Sequence, residues 1–296
     1  METKNDVLWN PDAFMQIGDL VASSFLMAAV ILFGVSVFIL VQWRMVHKDW
    51  KLAVLISAMV PLMASCFTFF RTNYWISTQT NPIEFRFFDW FLTVPLMAIV
   101  FYFLLKPIGA RKRMLIGLFL AALWMLGWGY LGEALEPENS ITWGILGSIG
   151  FACIIGLIMG IGYPKIFREG VHPYHKMGYI TLSILLPLGW SIYPIGYMSV
   201  PGNVLEGVLG VDTVAIMYNI ADVFNKAGLA LGTAFIASKV GGYYEEEEKE
   251  ESYTPPASKN YNHRPSDVSK EIELQVREDE SEELPSHGFQ QKKYLN

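Results

Sequence analysis

Seven long apolar stretches dominate the chain, at roughly 18–43, 52–74, 85–105, 113–134, 141–163, 177–200 and 209–238. Each supplies the roughly 20 residues that an α-helix needs to cross a hydrocarbon core of about 30 Å. The polar connections between them are short, which favours antiparallel neighbours. The pattern predicts an all-α membrane protein, a seven-transmembrane-helix bundle with up-down order. The connections also alternate in charge. The first carries Arg44, Lys48 and Lys51 against Asp49, the third Lys106, Arg111, Lys112 and Arg113 without an acid, and the fifth Lys165, Arg168 and Lys176 against Glu169. The second, fourth and sixth carry Glu84, Glu136, Glu138 and Glu206 and almost no basic residue. Basic loops stay in the cytoplasm, so the N-terminus is expected outside and the C-terminus in the cytoplasm.

Composition refines this picture in one place. The net charge of −6 comes from the end of the chain, because residues 241–296 hold fourteen Asp/Glu against seven Lys/Arg. Residues 1–240 are therefore close to neutral, and acidity says nothing about chemistry in the bundle. Three parts are expected: an extracellular segment 1–17, the bundle 18–240, and an acidic cytoplasmic tail 241–296 of disordered composition. The tail reads as a solvated extension or as a segment for trafficking or for a cytoplasmic partner. A hydrophobic share of 52% and a mean hydropathy of +0.32 exclude an ordinary soluble domain. Cys66 and Cys153 lie in apolar runs and are expected to act as small buried hydrophobes rather than as a disulfide framework. Met1 to Met15 is polar and aromatic, so the first span is expected to direct insertion itself. No repeat, nucleotide loop, nucleic-acid motif or metal-ligand pattern is present in the sequence.

An ionisable residue inside a predicted span is costly and hence a functional candidate, and four stand out. Arg86 and Asp89 belong to the third span; Asp222 and Lys226 belong to the seventh. Lys226 is the only lysine deep within a span, too far in to reach an interface. Asp222 precedes it by one turn on the same face. A plain ion pair between helices is one reading. The other is an amine prepared for condensation with an aldehyde. Arg86, Asp89 and Thr93 share a helix face, and two aspartates with one arginine around one amine would give a nearly balanced cluster.

Together these residues resemble the microbial (type 1) rhodopsins, close to the proteorhodopsin and xanthorhodopsin group, over about residues 15–240. Arg86-x-x-Asp89-Trp90-x-x-Thr93-x-Pro95 is similar to the family's third helix, and Asp222-x-x-x-Lys226 to its attachment helix. Gly189-Trp190-Ser191-Ile192-Tyr193-Pro194-Ile195-Gly196-Tyr197 resembles the sixth helix, and Gly129-Tyr130-Leu131-Gly132-Glu133-Ala134 a fourth-helix stretch. The resemblance implies all-trans retinal bound covalently to Lys226 as a protonated Schiff base. It implies Asp89 as primary counterion and proton acceptor, Asp222 as second counterion and Arg86 as a modulator of the extracellular side. Trp90, Trp190 and Tyr193 would clamp the polyene, with Thr93, Met97, Met125, Gly129, Trp143, Pro194 and Tyr197 also lining its pocket. Met97 matches a colour-tuning position, and its apolar side chain implies green absorption. Family members commonly assemble as pentamers or hexamers, in the plasma membrane or, in a eukaryotic microbe, an organelle membrane.

Two positions depart from the family. Outward proton pumps usually carry a carboxylic acid eleven residues after the acceptor aspartate; here that position is Val100. The second-helix histidine that often pairs with the counterion is also missing, and Cys66 lies near its place. The resemblance therefore implies a non-enzymatic outward light-driven proton pump without its usual cytoplasmic donor, and slow reprotonation. A photosensor signalling through the cytoplasmic side and a light-gated channel or inward proton transporter are the alternatives. Retention of Asp89 disfavours sodium and chloride pumping.

Overall fold

Seven helices, all apolar enough to cross a membrane, run as α1 (Leu20–Met45), α2 (Lys51–Thr78), α3 (Ile83–Ile108), α4 (Lys112–Leu135), α5 (Pro137–Ile166), α6 (Pro173–Tyr197) and α7 (Val211–Val240). They were obtained in a computed structural model that describes residues 14–16, 18–199, 202–244 and 246. The chain divides into a unit of residues 1–247 and a second of 248–296. The second unit, and with it nearly all of the predicted acidic tail, lies outside the described residues. No strand occurs among the described residues. The expected spans are recovered, each shifted at its ends by a few residues.

Sequential helices pack side by side from α1 to α4 and on to α5, and α7 closes the bundle by packing on α1, α2 and α6. The first of these junctions is fixed at its start. Asp19 caps α1, its Oδ1 accepting from the Ala22 amide at 2.8 Å. Its Oδ2 accepts from Trp75 Nε1 at 3.2 Å, which ties the start of α1 to the end of α2. Large apolar side chains cover the outside of the bundle, including Val30 and Phe33 of α1, Leu120 of α4, Ile145 of α5 and Leu188 of α6. This inverted surface is what a bilayer requires, because lipid tails solvate apolar groups and offer no hydrogen bond to polar ones.

Prolines and widened turns interrupt the helices where side chains must be re-aimed. Pro61, Pro95 and Pro187 lie within α2, α3 and α6. After Pro187, α6 breaks at Ser191 and resumes at Ile192. Three turns open to i→i+5 hydrogen bonding, at Leu131–Leu135, Gly156–Ile161 and Val223–Ala227. Such turns accumulate at functional sites, and two of these carry Glu133 and Lys226.

Two details differ from expectation. Cys66 and Cys153 are free but stand on the outer surface rather than in the core, because thiols satisfy a lipid-facing position as well as a buried one. Gly241 to Tyr244, assigned to the tail by composition, pack onto the bundle: Trp50 Nε1 donates to the Gly241 carbonyl at 3.0 Å, and Tyr244 Oη meets His175 Nδ1 at 2.7 Å.

Gly150 lets α5 approach the backbone of α4. A Cβ there would stand 2.7 Å from the Ala121 carbonyl oxygen and 2.8 Å from the Met125 amide nitrogen. Backbone cannot yield as a side chain can. Gly150→Ala is therefore expected to destabilise the bundle by about 1–3 kcal/mol, read as a lower thermal midpoint of the purified protein. Gly160→Ala, whose Cβ would meet nothing within 4 Å, should leave that midpoint unchanged.

Candidate functional site

The buried charges gather where α2, α3 and α7 meet. α7 presents Asp222 and, across its widened turn, Lys226; both are essentially inaccessible. α3 presents Asp89 from the turn that precedes Pro95. Lys226 Nζ donates to Asp89 Oδ2 at 2.7 Å and pairs with Asp222 Oδ1 at 3.3 Å. Thr93 Oγ1 donates to the Asp89 carbonyl at 2.8 Å and lies 3.3 Å from its Oδ1. Tyr193 Oη donates to Asp222 Oδ1 at 2.8 Å. Sequence spacing put Asp222 beside Lys226; the fold adds Asp89 from 137 positions away.

The arginine of this cluster is not the expected one. Arg71 of α2 is fully buried, and its Nη2 donates to Asp222 Oδ2 at 3.1 Å, to Asp89 Oδ2 at 3.3 Å and to Thr68 Oγ1 at 2.5 Å. Two cations thus meet two carboxylates, and the group is neutral. Arg86, anticipated in this role, is displaced toward the end of the bundle where α1 begins. It pairs with Glu133 of α4 at 3.6 Å, bonds Asn81, and places its guanidinium 4.3 Å over the Tyr218 ring. The physical reason is occupancy: once Arg71 binds both aspartates, a second arginine among them would leave an excess positive charge in a dry interior. Glu133, the only buried acid outside the aspartate pair among the described residues, supplies Arg86 with its own partner.

A cavity of about 330 Å³ begins at Lys226 and extends between α3, α4, α5 and α6. Trp90, Met97 and Met125, with Gly129 of α4, line it. So do Trp190, Tyr193, Pro194 and Tyr197 of α6. Thr93 does not line it, being turned onto Asp89. Trp143 does not line it either: it stacks on Trp128 at 5.1 Å and its Nε1 donates to Glu136 Oε2 at 3.1 Å. Stacking between neighbouring helices on the bundle's flank offers that indole both a face and an acceptor. Phe87, Phe151 and Gly144 line the cavity without having been anticipated. Gly132 makes room for this wall, since a Cβ there would overlap Tyr197 Oη.

An aromatic cavity of this size, closed at one end by an ion-paired lysine, has the character of a small-molecule site. This arrangement and the seven-helix order match known proteins. The model of the bacteriorhodopsin-like protein family matches residues 19–240. The blue-light absorbing proteorhodopsin of Gamma-proteobacterium Hot 75m4 is 32% identical over 217 residues, covering 72% of this chain and 84% of the relative. The green-light absorbing proteorhodopsin of Gamma-proteobacterium EBAC31A08 is 30% identical over 221 residues, covering 71% and 85%. The crystallographic structure of xanthorhodopsin, described as a light-driven ion pump with dual chromophore, superposes with a TM-score of 0.67 at 25% identity, covering 79% of this chain and 98% of that one. The chain belongs to the bacteriorhodopsin-like family, as an integral multi-pass membrane protein of the microbial rhodopsin type.

Removing one partner from a buried ionic group costs far more than the pair contributes, typically about 3–5 kcal/mol. Arg71→Met leaves two carboxylates facing one amine. We expect a loss of that size, measured by denaturant unfolding of the purified protein; a change below about 1 kcal/mol would mean that Arg71 does not neutralise the cluster.

Proposed function

We propose that this protein is a light-driven outward proton pump that carries retinal on Lys226. The observation that carries the reading is the contact of Lys226 Nζ with Asp89 Oδ2, 2.7 Å apart at the closed end of an aromatic cavity. The residues fit the group. Trp90 and Trp190 offer flat apolar walls, Met97 and Met125 adaptable ones, and Lys226 a single buried amine for attachment. Retinal, when bound, supplies the absorbing polyene and a light-driven change of shape beside the lysine nitrogen. The apolar Met97 on the wall favours green absorption.

The protein's own groups then define where a proton can go. A proton leaving Lys226 Nζ has a carboxylate oxygen of Asp89 within hydrogen-bond reach, which is the geometry of general-base transfer. Thr93 orients that carboxylate. Asp222, anchored by Tyr193 and Arg71, stays as the second anion. Beyond Asp89, toward the end where α1 begins, Arg86 and Glu133 continue the buried polar path. In the orientation read from loop charges that end faces outward, so transfer to Asp89 is transfer toward the outside. On the other side of Lys226 the position eleven residues beyond Asp89 is Val100, fully buried. Return of a proton to Nζ lacks a carboxylic donor there, and recovery depends on uptake from cytoplasmic water. Val100 also favours a second reading, a photosensor whose slow recovery prolongs a signalling state.

Illumination separates these readings. Cells expressing the protein with retinal in unbuffered medium are expected to acidify it, and a protonophore should abolish the change. Alkalinisation would mean inward transport, and no pH change with normal bleaching and recovery would mean a sensor. Asp89→Asn should lose the acidification. Flash photolysis of the wild type should show slow recovery that slows further as pH rises; fast, pH-independent recovery would contradict the missing donor.

A further inference from the structure

We infer that His175, held between helix α3 and the start of the tail, relays protons from the cytoplasm toward Lys226. Beyond Lys226 on the side of α7's C-terminal end, His175 is the only buried Asp, Glu, His, Lys or Arg among the described residues. Its ring is wholly inaccessible and makes two hydrogen bonds of opposite sense. Nε2 lies 2.8 Å from the Leu104 carbonyl oxygen, and Nδ1 lies 2.7 Å from Tyr244 Oη. A carbonyl can only accept, so Nε2 bears the hydrogen of the neutral ring. Nδ1 then accepts from the Tyr244 hydroxyl, and Tyr244 Oη in turn accepts from the His172 amide at 3.2 Å. Trp50 packs against the ring edge-on, at 5.1 Å between centroids. Titratable groups at this junction among the described residues include His172, Tyr243, Tyr244 and His175 itself.

This geometry has a direction. Tyr244 is half-buried at the cytoplasmic surface, whereas Leu104 lies one turn beyond Val100 on α3. A proton enters at Nδ1 through the Tyr244 hydroxyl, which is refilled from bulk water. The resulting ring cation releases its Nε2 proton inward to water. Two polar atoms continue toward the lysine from α7. Thr233 is fully buried two turns from Lys226, and its Oγ1 has no hydrogen-bond partner among the described residues. Asn225, next to Lys226, has an unpartnered Oδ1 and lines a cavity of about 10 Å³ with Leu182, Leu186 and Leu229. That volume is about one water-sized probe. His175, Thr233 and Asn225 therefore mark three levels of a route across a section with no carboxylate. Each transfer forms Nδ1–H, breaks Nε2–H, and breaks and re-forms the Tyr244 O–H bond; exchange of the ring proton with water then restores the Nε2–H tautomer.

The inference rests on the pump reading and needs a variant that separates proton relay from packing. His175→Gln is that variant: its amide nitrogen donates to Leu104 and its oxygen accepts from Tyr244, yet it cannot carry a proton. We expect flash-photolysis recovery to slow on the order of 10²-fold in His175→Gln, the usual worth of a placed proton-transfer group. The pigment's formation and thermal midpoint should be unaltered. Recovery at the wild-type rate in a folded His175→Gln pigment overturns the relay while leaving the pump standing. A wild type that does not acidify the medium overturns both. The hydrogen-bond geometry has its own readout without retinal. Nitrogen-15 NMR of histidine-labelled protein should show a neutral, Nε2-protonated His175 whose Nδ1 resonance moves in Tyr244→Phe. An Nδ1-protonated ring would overturn the inference directly.

Discussion

Four charges from three helices share one dry space, and that constraint organises the bundle. Each ion moved out of water carries a penalty of several kcal/mol that only close partners offset. Asp89 Oδ2 accepts from both Lys226 and Arg71, while Asp222 divides its two oxygens between the same cations. Each of the four pairs with both opposite charges, so moving any one away leaves the other three with an uncompensated charge in a dry space. The cluster thus fixes the register of α2, α3 and α7 against one another. The surrounding apolar contacts, being non-directional, could not specify that register alone. The widened turn at Val223–Ala227 belongs to the same requirement, because it lets a single helix deliver both Asp222 and Lys226 to the cluster.

How much of this could be read in advance depended on whether a residue's partner was local. Asp222 and Lys226 announced each other because they are one turn apart, and the seven spans because hydropathy is a sum over neighbours. Arg71 was missed for the opposite reason. It sits near the end of its span, where a basic side chain ordinarily reaches out to the interface, and its carboxylate partners lie 18 and 151 positions away. A weaker signal was present. Ser65, Thr68, Thr72 and Arg71 recur at helical spacing on α2 and all are buried, marking a polar face turned inward rather than outward. Arg86 shows the converse error. Its motif was recognised correctly, but the motif does not say which acid it pairs with, and Glu133 on another helix decided that. Trp143, which the resemblance placed in the pocket without a quoted motif around it, is claimed by a neighbouring indole instead.

The cavity follows a related logic. Its walls are rigid rings and flexible thioethers, and its width depends on where glycine stands. Gly132 admits Tyr197, and Gly189 similarly admits the Asn225 side chain beside Lys226. These are contacts between helices that no single-helix pattern encodes, which is why Phe87, Phe151 and Gly144 were found only in three dimensions. The aromatic signature of α6 was legible because Trp190, Tyr193, Pro194 and Tyr197 recur at helical spacing and so share one face toward the cavity.

The two halves of the bundle differ in kind, and the difference bears on direction. From Lys226 toward the start of α1 the interior holds two carboxylate–arginine groupings in succession, Asp89 and Asp222 with Arg71, then Glu133 with Arg86. Toward the tail the interior formed by the described residues is apolar apart from isolated hydroxyl and amide groups, until His175. A proton released at the boundary between these halves meets acceptors within hydrogen-bond distance on one side and a low-dielectric stretch on the other. Charge separation into the apolar half is opposed by desolvation, whereas on the polar side each cation already has an anion to compensate a shifted proton. Vectorial behaviour then needs no large moving part at the first step: the sequence places acids on one side of Lys226 and valine on the other, and the fold turns that linear asymmetry into a spatial one.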